Sequence, residues 1–393
     1  MSAVEVGQEA VELSVVIPCL NEAETIGICL DKINRVFAEH GIRGEAVVGD
    51  NGSTDGSIEI AREKGARVIN VTQKGYGNAL RGGIAAARAP YIIMGDADDS
   101  YDFLEIPKFL KQLRAGHQFV YGCRLPTGGG TVMPGAMPWS HRHIGNPLFS
   151  LLARLWFHAP IHDVYCGMRG FRKDAYEELN QQCTGMEFAT EMVIKSSLFR
   201  RDIVEVPITL HPDGRKSRKP HLRTMRDGWR TLRFFLLYSP RWLFLLPGLV
   251  LGLVGFVIAL LGGFKASIGN AVLGVHSLTA GLLMAYIGLQ TVFFGVIAKT
   301  FATNESLSPA DALLKRLQKF VTLEKGILLS VAAILGGVAL FAIVLALWWQ
   351  SGFGPLDYAQ TLRLVVPGTF LIATGWQTLF FAFTVSLLSI RRR

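Results

Sequence analysis

Between residues 13 and 94 the apolar positions fall in short runs separated by polar, glycine-rich breaks. "LSVVI" (13–17) is a β-branched run ended by Pro18, and three more runs follow at 45–49, 67–71 and 91–94. Helical spacing fills the intervals near 24–39, 58–64 and 79–88. Strands alternating with helices predict a mostly parallel sheet covered by helices on both faces. After Arg241 the pattern changes. Four stretches, about 242–264, 272–298, 326–350 and 364–390, carry no charge and are long enough to cross a bilayer. The expected organisation is a flexible 1–11, an α/β domain over 12–220, an amphipathic helix over 221–240, and an all-α membrane domain of four transmembrane helices over 241–393.

Two polar intervals keep a helical period. In the first, Leu222, Met225, Trp229 and Leu232 recur on one face and Arg223, Arg226, Arg230 and Arg233 on another. A helix of that kind lies on anionic headgroups. In the second, Ser308-Pro309 is a helix-start signal followed by Leu313, Leu314, Leu317, Phe320 and Val321. His276 and Gln290, inside the second span, read as packing polar groups rather than a conduction path.

The net charge of +9 is compatible with nucleic acid or an anionic membrane, and its placement favours the membrane over nucleic acid. Basic residues crowd the segment before the first span, the loop between spans two and three, and the terminal Arg391-Arg392-Arg393. The other two loops offer only Lys265 and Arg363. By the positive-inside rule this predicts a multi-pass integral membrane protein whose α/β domain faces the cytoplasm. The five cysteines have no CxxC or zinc spacing and read as reduced thiols. "MSAVEVGQEAVE" has neither a basic n-region nor an apolar h-region, so no signal peptide is expected.

Ligands of doubly wound sheets bind beyond the carboxyl ends of the strands. Three polar loops belong there: "PCLNEAE", "DNGSTDGS" and "GDADDSYD". Asn21 and Glu22 suit a base or ribose, and Asp50, at the tip of its strand, can accept from a base N–H or a ribose hydroxyl. Lys74 opens the glycine-rich turn "KGYGN", whose backbone can approach phosphate. Asp96 and Asp98 are alternate residues; their hard oxygens suit Mg²⁺ or Mn²⁺ bridging a diphosphate. Asp99 and Asp102 are candidate caps for a helix near Leu104. His141, His143 and His162 lack a metal-ligand pattern.

Together "VVIPCLNEAETI", "VVGDNGSTDGS", "KGYGNALRGGI" and "IIMGDADDSYD" resemble an inverting family-two glycosyltransferase. "YGCR" (121–124), "DVYCGMRGFRKDAY" (163–176), "GMEFATEM" (185–192) and "VPITLHPDGRKSRK" (206–219) narrow the resemblance to the polyprenyl-phosphate group, the dolichol-phosphate mannose and glucose synthases. It covers about 12–240. The resemblance implies a Rossmann-like, glycosyltransferase A type domain, a nucleotide-sugar donor, a divalent metal (Mg²⁺ or Mn²⁺) and a lipid-phosphate acceptor among membrane lipids, with a homo-oligomer left open. It carries donor binding onto Pro18, Asn21, Glu22, Asp50 and Asp96, with Lys74 from the glycine-rich turn beside them, and metal binding onto Asp98 with Asp96. Acceptor-phosphate contacts fall on Arg124, Arg215, Ser217 and Lys219. Two departures from the family pattern stand out: Asn51 replaces a second aspartate, and "HPDGRKSRKPH" replaces a glycine-serine-lysine turn.

The implied reaction moves a hexose, UDP-glucose favoured over GDP-mannose as donor, onto a polyprenyl phosphate. Such a phosphate monoester carries about −1.5 to −2 charge at pH 7 and is already a nucleophile. The catalytic set is then Asp98, Arg124 and Asp163, with Asp163 either a base or an orienting group for Arg169 or the acceptor. Glu187 and Glu191, one helical turn apart, reach sugar hydroxyls or pair with nearby basic residues; Glu187 is taken as substrate-facing. A processive polysaccharide synthase is the alternative. It needs Gln-x-x-Arg-Trp, and Tyr238 stands at the Gln position before Arg241-Trp242. A membrane scaffold with a relic nucleotide fold is the other, and the intact set Asp50, Asp96, Asp98 and Arg124 argues against it.

Overall fold

The computed structural model describes residues 10–215, 224–305, 307–309 and 322–390. The chain forms two compact units, one ending at Phe235 and the other starting at Leu236. The boundary thus falls inside the helix expected at 221–240. Residues 1–9 of the expected flexible 1–11, the acceptor candidates Ser217 and Lys219, and the second amphipathic segment at 313–321 lie outside the described residues.

The first unit opens with β1 (Leu13–Cys19), α1 (Ile26–Glu39), β2 (Gly44–Asp50), α2 (Ser57–Glu63), β3 (Arg67–Asn70), α3 (Tyr76–Ala86) and β4 (Tyr91–Met94). It continues with α4 (Ile106–Arg114), β5 (Phe119–Cys123), β6 (Thr131–Val132), α5 (Asn146–Phe157), β7 (Arg169–Arg172), α6 (Lys173–Leu179), α7 (Glu187–Leu198), β8 (Ile203–Pro207) and β9 (Thr209–Leu210). Seven strands form one sheet in the order β3-β2-β1-β4-β7-β5-β8. Only β7 runs against its neighbours, pairing Met94 with Arg169 and Tyr121 with Arg169. Nearly every residue of β1 is buried, because helices cover both faces; this is why its sequence is a continuous apolar run rather than an alternating one.

Pro18 does not end β1, as its sequence predicts; the strand continues to Cys19 opposite Asp50. Cys19 turns its carbonyl to β2, where Asn51 N donates to it, and Val16 turns its own toward Gly95 beyond β4. By the two-residue period Pro18 faces the β4 side, past the last β1–β4 pair, Val16 with Met94. Its missing N–H therefore breaks no ladder bond. Parallel register then brings the ends of β1, β2 and β4 to one edge. The core on one side of the sheet joins β1 to Ile26, Leu30 and Ile33 of α1 and to Phe109 and Leu113 of α4.

Helix α8 (Thr224–Tyr238) follows. Phe235 is fully buried against Phe149, Trp156 and Phe157, whereas Trp229 is 60% exposed.

Among the described residues of the second unit, four helices are long and apolar enough to cross a membrane: Arg241–Gly263, Val275–Asn304, Leu323–Gln350 and Tyr358–Ser389. The first contains α9 (Leu246–Gly263), and the others are α10, α11 and α12. Helices α9 and α10 pack through small residues, Gly255 against Ala285 and Gly281 against Ala259, so their backbones approach closely. Two expectations change. A small hairpin, Ser267–Ile268 with Ala271–Val272, precedes α10, so its helix starts at Val275. Absence of charge puts the last span's start at 364, yet α12 includes Arg363, which donates to the Gly263 carbonyl at 2.6 Å and so satisfies an open end of α9. His276 is exposed in the first turn of α10 rather than packed inside.

Candidate active site

The loops after β1 and β2 are laced together by short polar side chains. Asn21 takes a left-handed backbone (φ 59°), so its N–H meets Ser53 Oγ at 2.9 Å and its Oδ1 accepts from Thr54 N at 2.7 Å. Glu22 N donates to Ser57 Oγ at 2.7 Å. Asp50 is buried at the end of β2; it accepts from Gly52 N at 2.9 Å and Ser53 N at 3.1 Å. Each oxygen keeps acceptor capacity, as a base or ribose hydroxyl requires. Pro18 sits partly buried just below this rim.

Asn51, where the family pattern has aspartate, is fully used. Its amide donates to Val71 O (2.9 Å) and Gln73 O (2.8 Å) and accepts from Gly75 N (2.7 Å). An aspartate has no donor and cannot make the first two bonds. Lys74 Nζ donates to Asn51 O at 2.5 Å. Gly75 has φ 131°, and a side chain there would run into the Thr184 carbonyl. The glycine-rich turn is thus pressed against the segment leading into α7.

After β4, Asp96 Oδ1 accepts from the Tyr76 hydroxyl at 2.8 Å, and a Cβ on Gly167 would come within 2.8 Å of Oδ2. The glycine keeps that oxygen's surroundings open. Asp98 Oδ1 accepts from Ser100 N (3.1 Å) and Oγ (2.6 Å), while Oδ2 lies 3.7 Å from Arg215. Burial, and next the Asp98 charge, push Asp96 up to about 6 against the pull of Tyr76, Arg215 and Arg124. Among the described residues no three His, Cys, Asp or Glu gather as a complete metal cage. The hard carboxylate oxygens of Asp96 and Asp98 would suit a divalent cation such as Mg²⁺ or Mn²⁺. The other two carboxylates have structural work: Asp102 caps Leu104 N at 3.1 Å, whereas Asp99, expected to cap, pairs with Lys32 at 2.8 Å.

Arg215 lies closer to the loops after β1 and β4 than its sequence position suggests. Its guanidinium forks onto Glu22 at 2.7 and 2.6 Å, and it also holds Asp213 at 3.0 Å. It therefore bridges the β1 loop and the acidic loop.

Arg124 and Asp163 form a buried pair: Nε to Oδ2 at 2.7 Å, Nη2 to Oδ1 at 2.8 Å, and Arg124 N to Oδ2 at 3.0 Å. The third guanidinium nitrogen faces the Tyr101 hydroxyl at 3.4 Å. Asp163 thus orients Arg124, not Arg169. Arg169 is wholly buried and donates to the carbonyls of Cys166 (2.8 Å), Val164 (3.0 Å) and Ala189. Glu205 braces the pair from β8, accepting from the N–H groups of His162 (2.7 Å) and Asp163 (3.1 Å). Sequence reasoning missed Tyr76, Tyr101, Glu205 and Asp213. Tyr76, Tyr101 and Asp213 lie inside quoted motifs and Glu205 directly precedes one, but only tertiary contact reveals their partners.

Glu187 and Glu191 part company. Glu187 pairs with Arg230 at 2.7 Å, while Glu191 is fully buried, accepts from Gln182 N and Cys183 N and meets Lys195 at 3.1 Å. All five cysteines are free thiols, and burial pushes each one's pKa up, Cys19 to about 11 and Cys166 to about 12. None is poised as a thiolate nucleophile.

Residues 14–180 match the family described as glycosyl transferase family 2, and 296–389 match the glycosyltransferase family 2 C-terminal transmembrane region. A low-salt glycan biosynthesis hexosyltransferase, Agl6, from Haloferax volcanii is 36% identical over 96% of this chain and 89% of its own. The chain belongs to glycosyl transferase family 2. It is a membrane glycosyltransferase with an A-type catalytic sheet. A dolichyl-phosphate hexose transferase of the same organism is 35% identical over 50% of this chain and 82% of its own. Among solved structures, a glucosyl-3-phosphoglycerate synthase from Mycobacterium tuberculosis aligns with TM-score 0.45 at 22% identity over 57% of this chain and 78% of its own.

Proposed function

We propose that this protein transfers a hexose from a nucleotide sugar to a polyprenyl phosphate, with inversion at the sugar carbon. The observation that carries the reading is the junction of Glu22, Arg215 and Asp98 beside Asp96, on a chain of this family with its own membrane helices. The names of the two Haloferax relatives point the same way. In this reading Asp50 and the Asn21 loop hold the nucleoside, and Asp96 and Asp98 face the diphosphate. A divalent cation held by these two carboxylates would neutralise charge on the leaving group. A phosphate oxygen of the lipid bonds to the anomeric carbon as the carbon–oxygen bond to the diphosphate breaks and its electron pair leaves with the nucleoside diphosphate. The acceptor needs no base, and Asp163, closed off by Arg124, acts as a positioning residue. Arg124 offers its remaining N–H groups to the incoming phosphate, and Glu187 with Arg230 borders the sugar.

Purified protein in detergent, given polyprenyl phosphate and a panel of labelled nucleotide sugars led by UDP-glucose, should move one label into extractable lipid. Label appearing only in polymer, or in no lipid with any donor, overturns the reading.

The family resemblance places Arg215 at the acceptor phosphate. Its fork on Glu22 makes it a donor-side group as well. Arg215→Ala should slow transfer about tenfold to hundredfold, the 1.5–3 kcal/mol of charge-assisted hydrogen bonds, and should raise the KM for donor. A rise confined to the acceptor KM would return Arg215 to the acceptor alone.

The cytoplasmic orientation of the catalytic unit rests on the Lys/Arg bias of alternate loops. A cysteine placed at Ser308 should resist an impermeant thiol reagent added outside intact cells, and one at Gly354 should react. The opposite pattern would invert the topology.

A further inference from the structure

Helices α10 and α12 run parallel along a shared contact. Phe293 stacks on Phe381 with ring centroids 4.1 Å apart, and Val296 clusters with Phe381 and Val385. Earlier along both helices Leu278 and Leu282 pack with Val366 and Phe370. That register sets Tyr286 level with Thr374, and Gln290 level with Gln377 and Thr378, inside the uncharged stretches of both spans. The helical period turns Tyr286, Gln290 and Gln377 toward one edge of the contact. Their neighbours on that edge, Leu283, Phe294 and Phe380, are 50–61% exposed. The small residues that seat α9 lie on the other side of α10. The edge is thus an open groove between two helices, apolar at its rim and polar at its middle.

Hydrogen bonding sets the groove apart. Thr291, Thr378 and Thr384 return their hydroxyls to the carbonyl four residues back, as membrane threonines do. Gln290, expected to pack as a polar group, has no hydrogen-bond partner among the described residues, and neither have Tyr286 and Gln377. The Thr374 hydroxyl is buried without a partner as well. Gln290 stands nine residues, about 13 Å along the axis, from Lys299, the nearest charged residue of its helix. Its amide is too deep to reach the headgroups. An unbonded amide in hydrocarbon is costly, and lipid tails offer it neither donor nor acceptor.

We propose that the α10–α12 groove is the surface on which a second copy of this chain docks within the bilayer. Depth and chemistry choose that occupant. A copy inserted in the same direction carries its own Tyr286, Gln290 and Gln377 at the same depth, and a two-fold axis along the membrane normal sets groove against groove. An amide both donates and accepts, so a glutamine of one copy pairs reciprocally with a glutamine of the other and needs no different partner. Phe294 and Phe380 at the rim then add the van der Waals contact that drives helix association in lipid. The docking uses the second unit alone and does not depend on the donor, the acceptor or the metal.

The test uses the full chain with Cys183→Ser, since the other four cysteines are buried. Copies carrying a donor or an acceptor dye at Lys111→Cys, an exposed position on α4, are reconstituted together in phosphatidylcholine vesicles. Energy transfer is followed as added lipid dilutes the protein. The parent should associate. Gln290→Leu combined with Gln377→Leu should need about fivefold to thirtyfold more protein per lipid for the same transfer, the equivalent of about 1–2 kcal/mol for interhelical side-chain hydrogen bonds. In a second measurement Phe294→Cys and Phe380→Cys, each in a chain that keeps both glutamines, should form disulfides between copies when oxidised with iodine. Leu253→Cys on α9 and Leu328→Cys on α11, at positions 65% and 70% exposed, should not. A parent that stays monomeric at every dilution overturns the docking, and so does a double leucine variant that associates as tightly as the parent. Cross-links no stronger in the groove than at the two controls overturn it too, because the copies then meet on another face. The cross-links are read with both glutamines in place, so they decide the matter even where the leucine variant folds poorly.

Discussion

Asp98→Asn should abolish transfer while leaving the fold and membrane insertion intact. The side chain's local bonds explain the second half. Oδ1 of Asp98 accepts from Ser100 N and Oγ, and an asparagine Oδ1 makes the same two bonds. The turn after β4 survives. What goes is the negative charge at Oδ2, the oxygen nearest Arg215 and the one best able to share a cation with a diphosphate. Two further changes follow. Asp96 loses the like charge that helps push it up to about 6, so its carboxyl should titrate lower. Arg215 loses one of its three carboxylates and should lean on Glu22 and Asp213. Several kcal/mol of charge stabilisation on the leaving group correspond to a rate loss of about a thousandfold or more. Initial rates with and without added Mn²⁺, beside a thermal unfolding curve, check this. A variant that keeps the parental rate in EDTA would remove the metal from the assignment.

The sheet's first half was readable because each of its strands is a short apolar run closed by a turn. Four runs before residue 95 became four strands in the expected order, and the expected helices between them formed. Boundaries slipped where tertiary pairing overrode a local signal: Pro18 stayed in β1 because its N faces the unpaired side, and α3 began at Tyr76 because Gly75 supplies the turn. Beyond β4 the pattern offers a helix near Leu104, a helical turn at Glu187 and Glu191 and the amphipathic helix before the first span, but no strands. β7 is short, buried and antiparallel, and its polar ends, Arg169 and Arg172, disguise it as a loop. The candidate site showed the same division. Which carboxylates gather was legible from register alone. How they are partnered was not: Arg215 reaches Glu22 across 193 residues, and Glu205 braces Asp163 across 42. Glu187 and Glu191 each pair with a basic residue, as one of the two alternatives expects, but with different surroundings: one meets Arg230, and the other meets Lys195 and the loop at Gln182.

Asp163→Ala should unfold the catalytic unit more readily as well as silence it. Arg124 and Asp163 are both buried, so removing the carboxylate strands a guanidinium away from water. Such a loss costs about 3–5 kcal/mol, which in a unit of this size lowers its unfolding temperature by about 10 °C. The activity loss and the stability loss then share one cause. A base role predicts something else: Asp163→Asn, close in shape, would lose activity with little loss of stability. The geometry predicts that Asp163→Asn is also destabilised, because its amide turns a donor toward the donors of Arg124. The pair Arg124→Met with Asp163→Leu sharpens the distinction. Replacing both members of a buried ion pair by apolar groups is often neutral, so stability should largely return. It should not return in full, since Arg124 N donates to Asp163 at 3.0 Å and would be left unpaired, a residual of about 1–3 kcal/mol. Activity should stay absent, because the guanidinium proposed to meet the phosphate is gone. Urea or thermal unfolding of all three variants, with transfer rates measured alongside, decides the matter. A stable, inactive Asp163→Asn would make Asp163 the base.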